Sequence, residues 1–295
     1  MSESYSYTTP KLKLNGQLVS RDYTVLLSNI ETKGKKIIVT KMAWEFSLEF
    51  FGQDNEGNLQ YTLTNQRRFF LDKRNFPIKK LNKAQTIALQ VASINDELMI
   101  VVSKNYKLCE VKNTQQIRDK WEAVKTELLD TYPDLKEMAA DFDWQLQESE
   151  IQNVFLNDNF YNFLFANIFY REFEGDSAIK DSKTLANVLG NIDVPIKEEK
   201  KITKQDITFS EVTIEITGEL DTEADTFPLA KMNAFLGSLP TEPGSQHNLD
   251  FEYHGSYELR PELGLIINGN LTNAMSIGNL YTKETTITFK QEDDG

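Results

Sequence analysis

Hydrophobic and polar positions alternate most cleanly over residues 44–51, where Trp44, Phe46, Leu48 and Phe50 interleave with Glu45, Ser47 and Glu49. A period of two describes a strand with one buried and one wet face. Turn-forming Gly, Asn and Asp residues dominate 52–58, and alternation resumes over 59–64, so the two stretches predict a hairpin. A second hairpin is predicted from 98–103 and 107–111. Residues 82–94 fit either period.

After Asn113 the period lengthens. Ile117, Trp121, Val124 and Leu128 recur three and four apart, which predicts a helix capped by Asn113 or Thr114. Leu135, Met138, Ala139, Phe142 and Leu146 extend the amphipathic pattern beyond Pro133. Residues 158–173 hold Phe160, Tyr161, Phe163, Phe165, Phe169, Tyr170 and Phe173, predicting a helix apolar on nearly every side and buried between layers. A short helix is expected over 182–189, with Gly190 at its end. Strands return near residue 200: 207–216 is rich in β-branched residues and 250–257 alternates strictly, with a short helix expected at 227–239 and a loop at 240–245.

These periods divide the chain into an N-terminal β-rich region (1–113), an acidic and aromatic helical region (114–190) and a C-terminal β-rich region with one short helix (191–295). The fold class they predict is α+β: antiparallel β regions at both ends, with an α-helical middle packed across or between them. The pattern leaves open whether the two β regions share one sheet. A faint echo links them, since Trp44-Glu-Phe and Phe251-Glu-Tyr each open a segment that closes on Leu-Thr-Asn, at Asn65 and Asn273.

Composition narrows the class. No apolar run reaches the roughly 20 residues of a membrane-spanning helix, the first ten residues lack the apolar core of a secretory leader, and Cys109 is the only cysteine. An intramolecular disulfide and a cysteine-built zinc site are excluded, and a cytoplasmic location is expected. The formal net charge of −13 is unevenly spread: residues 1–113 hold 17 basic and 11 acidic residues, and 114–295 hold 15 and 34. The basic run comprises Arg67, Arg68, Lys73, Arg74, Lys79, Lys80 and Lys83, against Asp72 alone. The acidic run includes Glu127, Asp130, Asp134, Glu137, Asp141 and Asp143. Either run can serve as a solvated face, or the two can meet within one molecule or between copies. Nucleic-acid binding by the basic run is disfavoured by the overall negative charge.

Candidate chemistry is sparse. Asp250, Glu252, His254 and Ser256 share one strand face, but same-face neighbours stand about 6.6 Å apart and nearly parallel, which a catalytic triad cannot use. His247 and His254 lack the spacing of a zinc pair. Asp221, Glu223 and Asp225 lack the glycine and terminal acid of a calcium loop. Cys109 reads as a small core residue. No phosphate loop or nucleophile elbow is present, so no catalytic residue, cofactor or metal is assigned. The functional expectation is a non-enzymatic protein-binding or assembly protein of the immunity, adaptor or structural-subunit kind. Its acidic helices, with Arg67, Arg68, Arg74, Lys79 and Lys80 as the opposing basic set, would meet a basic partner or another copy. The alternative is a carrier or sensor of an apolar small molecule held between the aromatic helix and a sheet. A hydrolase-type enzyme comes third.

Overall fold

A computed structural model describes residues 12, 20–173, 178–205, 211–239, 248–260 and 265–292. His247, the 240–245 loop and the tail beyond residue 292 lie outside these, as do the first ten residues. The expected α+β arrangement is overturned: the molecule is built mostly on one 11-stranded antiparallel sheet with short helices attached, without a helical middle layer. Its N-terminal strands are β1 (Arg21–Lys33), β2 (Lys36–Gln53), β3 (Leu59–Leu71), β4 (Glu97–Val102) and β5 (Leu108–Val111). Its C-terminal strands are β6 (Ala178–Leu189), β7 (Ile192–Gln205), β8 (Val212–Leu220), β9 (Leu249–Arg260), β10 (Leu265–Ile277) and β11 (Tyr281–Gln291). The spatial order is β5-β4-β3-β2-β1-β11-β10-β9-β8-β7-β6, so the two β regions join where β1 pairs with β11, from Tyr23 opposite Gln291 to Lys33 opposite Tyr281.

Two stretches account for the correction. Residues 182–189 are strand, not helix: Leu185 pairs with Val194, and an irregularity before Leu189 places Asn187 at φ 56°, ending regular pairing. The aromatic stretch is helical only over α5 (Asn159–Leu164); it then runs irregularly to Phe173. Its amides there hydrogen-bond outside a helix, Asn167 N–H to the Tyr106 carbonyl and Tyr170 N–H to the Leu12 carbonyl. Phe163, Phe165, Phe169 and Phe173 are fully buried, so the apolar pattern reports a segment threaded through the core rather than a long helix.

The remaining helices are α1 (Lys83–Ala92), α2 (Thr114–Thr131), α3 (Lys136–Gln145), α4 (Ile151–Leu156) and α6 (Leu229–Ser238). A capping box between Asn82 and Gln85 starts α1. In α2 the expected stripe is buried through Ile117, Trp121 and Leu128. Asn113 does not cap it. Its side chain turns to β4 instead, accepting from Met99 N–H and donating to the Glu97 carbonyl. Cys109 is exposed because β5 carries an extra residue, Glu110 pairing with Val101 and Leu108 with Val102, which throws Cys109 off the buried face.

One face of the sheet, carrying Tyr23, Val25, Phe46, Leu48, Ile214, Tyr257, Leu271 and Phe289, holds the core. Helix α5 lies across it, with Phe160 edge-on to Trp44 and Phe46, and Phe163 stacked on Tyr257 and edge-on to Phe289. Gly269 is required there: a Cβ would stand 2.4 Å from Phe289 and 2.9 Å from Phe163. Both outer strands are blocked by side-chain amides. Gln152 of α4 bonds both the N–H and the carbonyl of Val111 on β5. Asn159 of α5 does the same to Ala186 on β6. Two side chains seven positions apart thus satisfy backbone groups that free edges would leave open to another strand.

Candidate functional site

The core face of β1, β2 and β11 is not wholly covered. Between it, the α4–α5 stretch and the β6–β7 turn lies an open groove of about 820 Å³. Alternation sets its floor: Leu27, Met42, Trp44 and Ile287 are neighbours on paired strands and point the same way. Phe160, Val154 and Trp144 form an apolar wall, with Trp144 58% exposed. Around this floor the polar groups are mainly neutral amides: Asn29 and Asn65 from strands, Asn153 and Asn157 from the α4 region, and Asn187 and Asn191 from the β6–β7 turn. Asn95 Oδ1, on the same wall, is buried without a protein hydrogen-bond partner.

Two cations flank the groove, each already held. Arg68 pairs with Asp96 and donates to the Asn95 carbonyl. Lys283 Nζ donates to the Asn187 and Gly190 carbonyls, and burial draws its pKa below the usual lysine range, opposed by the nearby Glu31 charge. Asp158 accepts the Tyr161 N–H as the α5 N-cap, and burial raises its carboxyl above the usual range.

A second polar cluster sits on the core face at the other end of the sheet. Glu198 and Lys200 of β7 are almost fully buried, with Nζ and Oε1 2.6 Å apart. Lys183 pairs with the other Glu198 oxygen, which also accepts the Tyr253 hydroxyl at 2.5 Å. Arg171 grips both oxygens of Asp181 at 2.7 Å, and Lys200 approaches that carboxylate at 3.6 Å. Burial opposes ionisation of Glu198, but Lys200 and Lys183 outweigh it and hold the carboxyl at about 2. Every polar atom named has a partner, so the cluster reads as a structural network. Composition hid it, because charged residues suggest solvent. The signal was phase: Ile192, Val194, Ile196 and Ile202 put Glu198 and Lys200 on the same apolar face.

Apart from Arg68, which is largely buried beside the groove, the structure places the sequence-expected interaction residues on the surface and does not gather them into one site. Glu127, Asp130, Asp134, Glu137, Asp141 and Asp143 are all exposed on α2, α3 and the turn between them. Lys83 binds Asp134, and its hydrogen bonds lower that carboxyl's pKa. Asp143 accepts from Trp121 Nε1 and Lys125; burial works against these bonds, yet its pKa falls below the usual carboxylate range. Arg67 pairs with Glu45, while Arg74, Lys79 and Lys80 are exposed. Asp250, Glu252 and His254 stand exposed on the wet face of β9. Among the described residues no group of histidine, cysteine and acidic side chains could hold a metal ion.

No family model and no curated protein sequence matches the chain. Among solved structures it is similar to lipovitellin, from a study of lipid–protein interactions, with 10% identity over 92% of this chain and a TM-score of 0.49. The chain spans 25% of the lipovitellin chain. It is also similar to an outer membrane channel from Pseudomonas putida F1, with 6% identity, 97% of this chain and all of that one covered, and a TM-score of 0.16. No helix among the described residues is long and apolar enough to cross a membrane. Likenesses this distant place the chain in no family.

Proposed function

We propose that the protein is a non-enzymatic carrier or sensor of an amphipathic small molecule, held in the groove between α5 and the core face of β1, β2 and β11. The observation that carries this reading is the lining: an apolar floor with an exposed tryptophan, ringed by amides that both donate and accept hydrogen bonds. An apolar portion of the ligand would lie on Leu27, Met42, Trp44 and Ile287. Its polar portion would meet the asparagines and the buried Asn95 acceptor. Of the aromatic stretch, only Phe160 and Tyr161 contribute to the wall; Phe163, Phe165, Phe169 and Phe173 pack the interior, and Tyr170 is exposed.

Native mass spectrometry of the purified protein tests for a co-purifying molecule. Binding of the apolar dye anilinonaphthalene sulfonate, compared between the parent protein and Met42→Trp, tests the place. The expected result is a bound species and about a tenfold loss of dye affinity on filling the floor, with unchanged circular dichroism. No co-purifying molecule, together with dye binding indifferent to Met42→Trp, overturns the reading.

A second reading, association with a basic protein partner through α2 and α3, is favoured by one observation. Asp130, Glu137 and Asp141 are exposed and, among the described residues, carry no ion pair. Charge reversal at these three positions would slow association and flatten its salt dependence. Association rates that do not respond to salt or to reversal remove this reading.

A further inference from the structure

The β1–β2 hairpin ends in a tight turn at Gly34 and Lys35, and beyond the packed part of the sheet it carries Ile37, Ile38 and Val39, exposed by 65%, 45% and 43%. Consecutive strand residues point to opposite faces, so both faces of this tip are apolar and uncovered. The 72–77 loop lies beside it: Lys41 opposes Leu71 in the β2–β3 ladder and its Nζ donates to Asn75 Oδ1 at 2.8 Å. That loop adds Phe76, 64% exposed. Aliphatic and aromatic side chains grouped this openly mark a contact surface.

The charged residues of these two segments are nearly all cations, and Glu31, opposite Ile38 across the β1–β2 ladder, accepts the Tyr281 hydroxyl. Residues 33–41 contain Lys33, Lys35, Lys36 and Lys41 and no acid, and residues 72–80 contain Lys73, Arg74, Lys79 and Lys80 against Asp72 alone. Asp72 is committed to its own loop, accepting the Arg74 and Phe76 amides. A molecule of net charge −13 therefore presents one locally cationic, apolar-tipped corner.

We infer that this corner docks on an anionic lipid bilayer, with Ile37, Ile38, Val39 and Phe76 entering the headgroup boundary and the surrounding lysines and arginine facing lipid phosphates and carboxylates. Charge alone would equally suit nucleic acid or the acidic helices of a second copy. The apolar tip decides between them. Three of its four side chains are aliphatic and offer no stacking surface to bases. Helices α2 and α3 present carboxylates outward, with Trp144 as their one exposed large apolar side chain among the described residues, so pairing with them would set Ile37, Ile38 and Val39 against charge. A bilayer interface supplies both anionic groups and an apolar layer. The inference stands on this surface alone and does not require the groove to bind anything.

Co-sedimentation with vesicles of phosphatidylcholine containing about one-quarter phosphatidylserine, against phosphatidylcholine alone, tests it. Partitioning should be about tenfold or more stronger on the anionic vesicles and should fall steeply with salt. Lys35→Glu with Lys36→Glu, and separately Ile37→Asp with Phe76→Asp, should each reduce it by about tenfold while leaving the melting temperature and dye binding in the groove unchanged. Equal partitioning on both vesicles, absence of binding, or indifference to the Ile37→Asp/Phe76→Asp variant overturns the inference. So does concentration-dependent dimerisation without vesicles that the Lys→Glu variant abolishes, or tighter binding of a DNA oligonucleotide than of anionic vesicles.

Discussion

Glu198 shows how a single residue can contradict its type. Its carboxylate is buried against two ammonium groups and a tyrosine hydroxyl, so removing its charge strands Lys183 and Lys200 in the core. Glu198→Gln should cost about 3–5 kcal/mol in denaturant unfolding, the range for breaking a buried pair from one side. The pH dependence has a defined sign. The folded carboxyl titrates at about 2 and the unfolded one near 4.5, so its contribution is complete above 4.5 and is lost as pH falls towards 2. Unfolding free energies measured through that window should decline in the parent protein and flatten in Glu198→Gln. The buried aromatics give a second comparison: Phe163→Ala and Phe169→Ala should each cost about 3–5 kcal/mol, and Phe160→Ala, which borders the groove, less. Period two over 44–51 made the buried Phe46 and Leu48 legible in the sequence. The exposed Cys109 was not, because a bulge shifts phase without any marker residue.

At the scale of elements, local pattern predicted the β2–β3 and β4–β5 hairpins and helix α2, each stabilised by neighbours close in sequence. It failed at 182–189 and 165–173, where distant partners decide: β7 pulls the first into the sheet, and the interior takes the second whatever its backbone form. The echo between the β regions has a structural counterpart, since Phe46 pairs with Asn65 and Tyr253 with Asn273, the same register in two hairpins. The amides at the sheet edges are the elements' most testable joints. Gln152→Ala should leave Val111 N–H and carbonyl unsatisfied at a cost of about 1–3 kcal/mol, and Asn159→Ala should do the same at Ala186. Hydrogen exchange at those two backbone sites should quicken in the corresponding variant only. Equal acceleration across the sheet would mean that the amides support the fold generally rather than guard the edges.

For the whole molecule, the sequence showed two β-rich ends but not their union, because no local period encodes which distant strands pair. The groove was legible only in outline, as a space between the aromatic stretch and a sheet. Its floor draws Leu27 and Met42 from one end of the chain and Ile287 from the other. Neither region alone contains the site, so a variant that loosens the join should lose ligand before it loses secondary structure.

That join also orders events in time. Every neighbouring strand pair in the sheet is consecutive along the chain except β1 and β11, which meet across more than 240 residues. Closing so long a loop costs roughly 3–4 kcal/mol more than closing a hairpin, so the halves should gain structure separately and meet late. Val25, at the seam opposite Phe289, and Leu63, inside the β2–β3 hairpin, offer the contrast. In stopped-flow refolding, Val25→Ala should chiefly hasten unfolding, whereas Leu63→Ala should slow refolding. The reverse ranking would mean that the chain brings its two ends together first and builds the sheet outward from the middle.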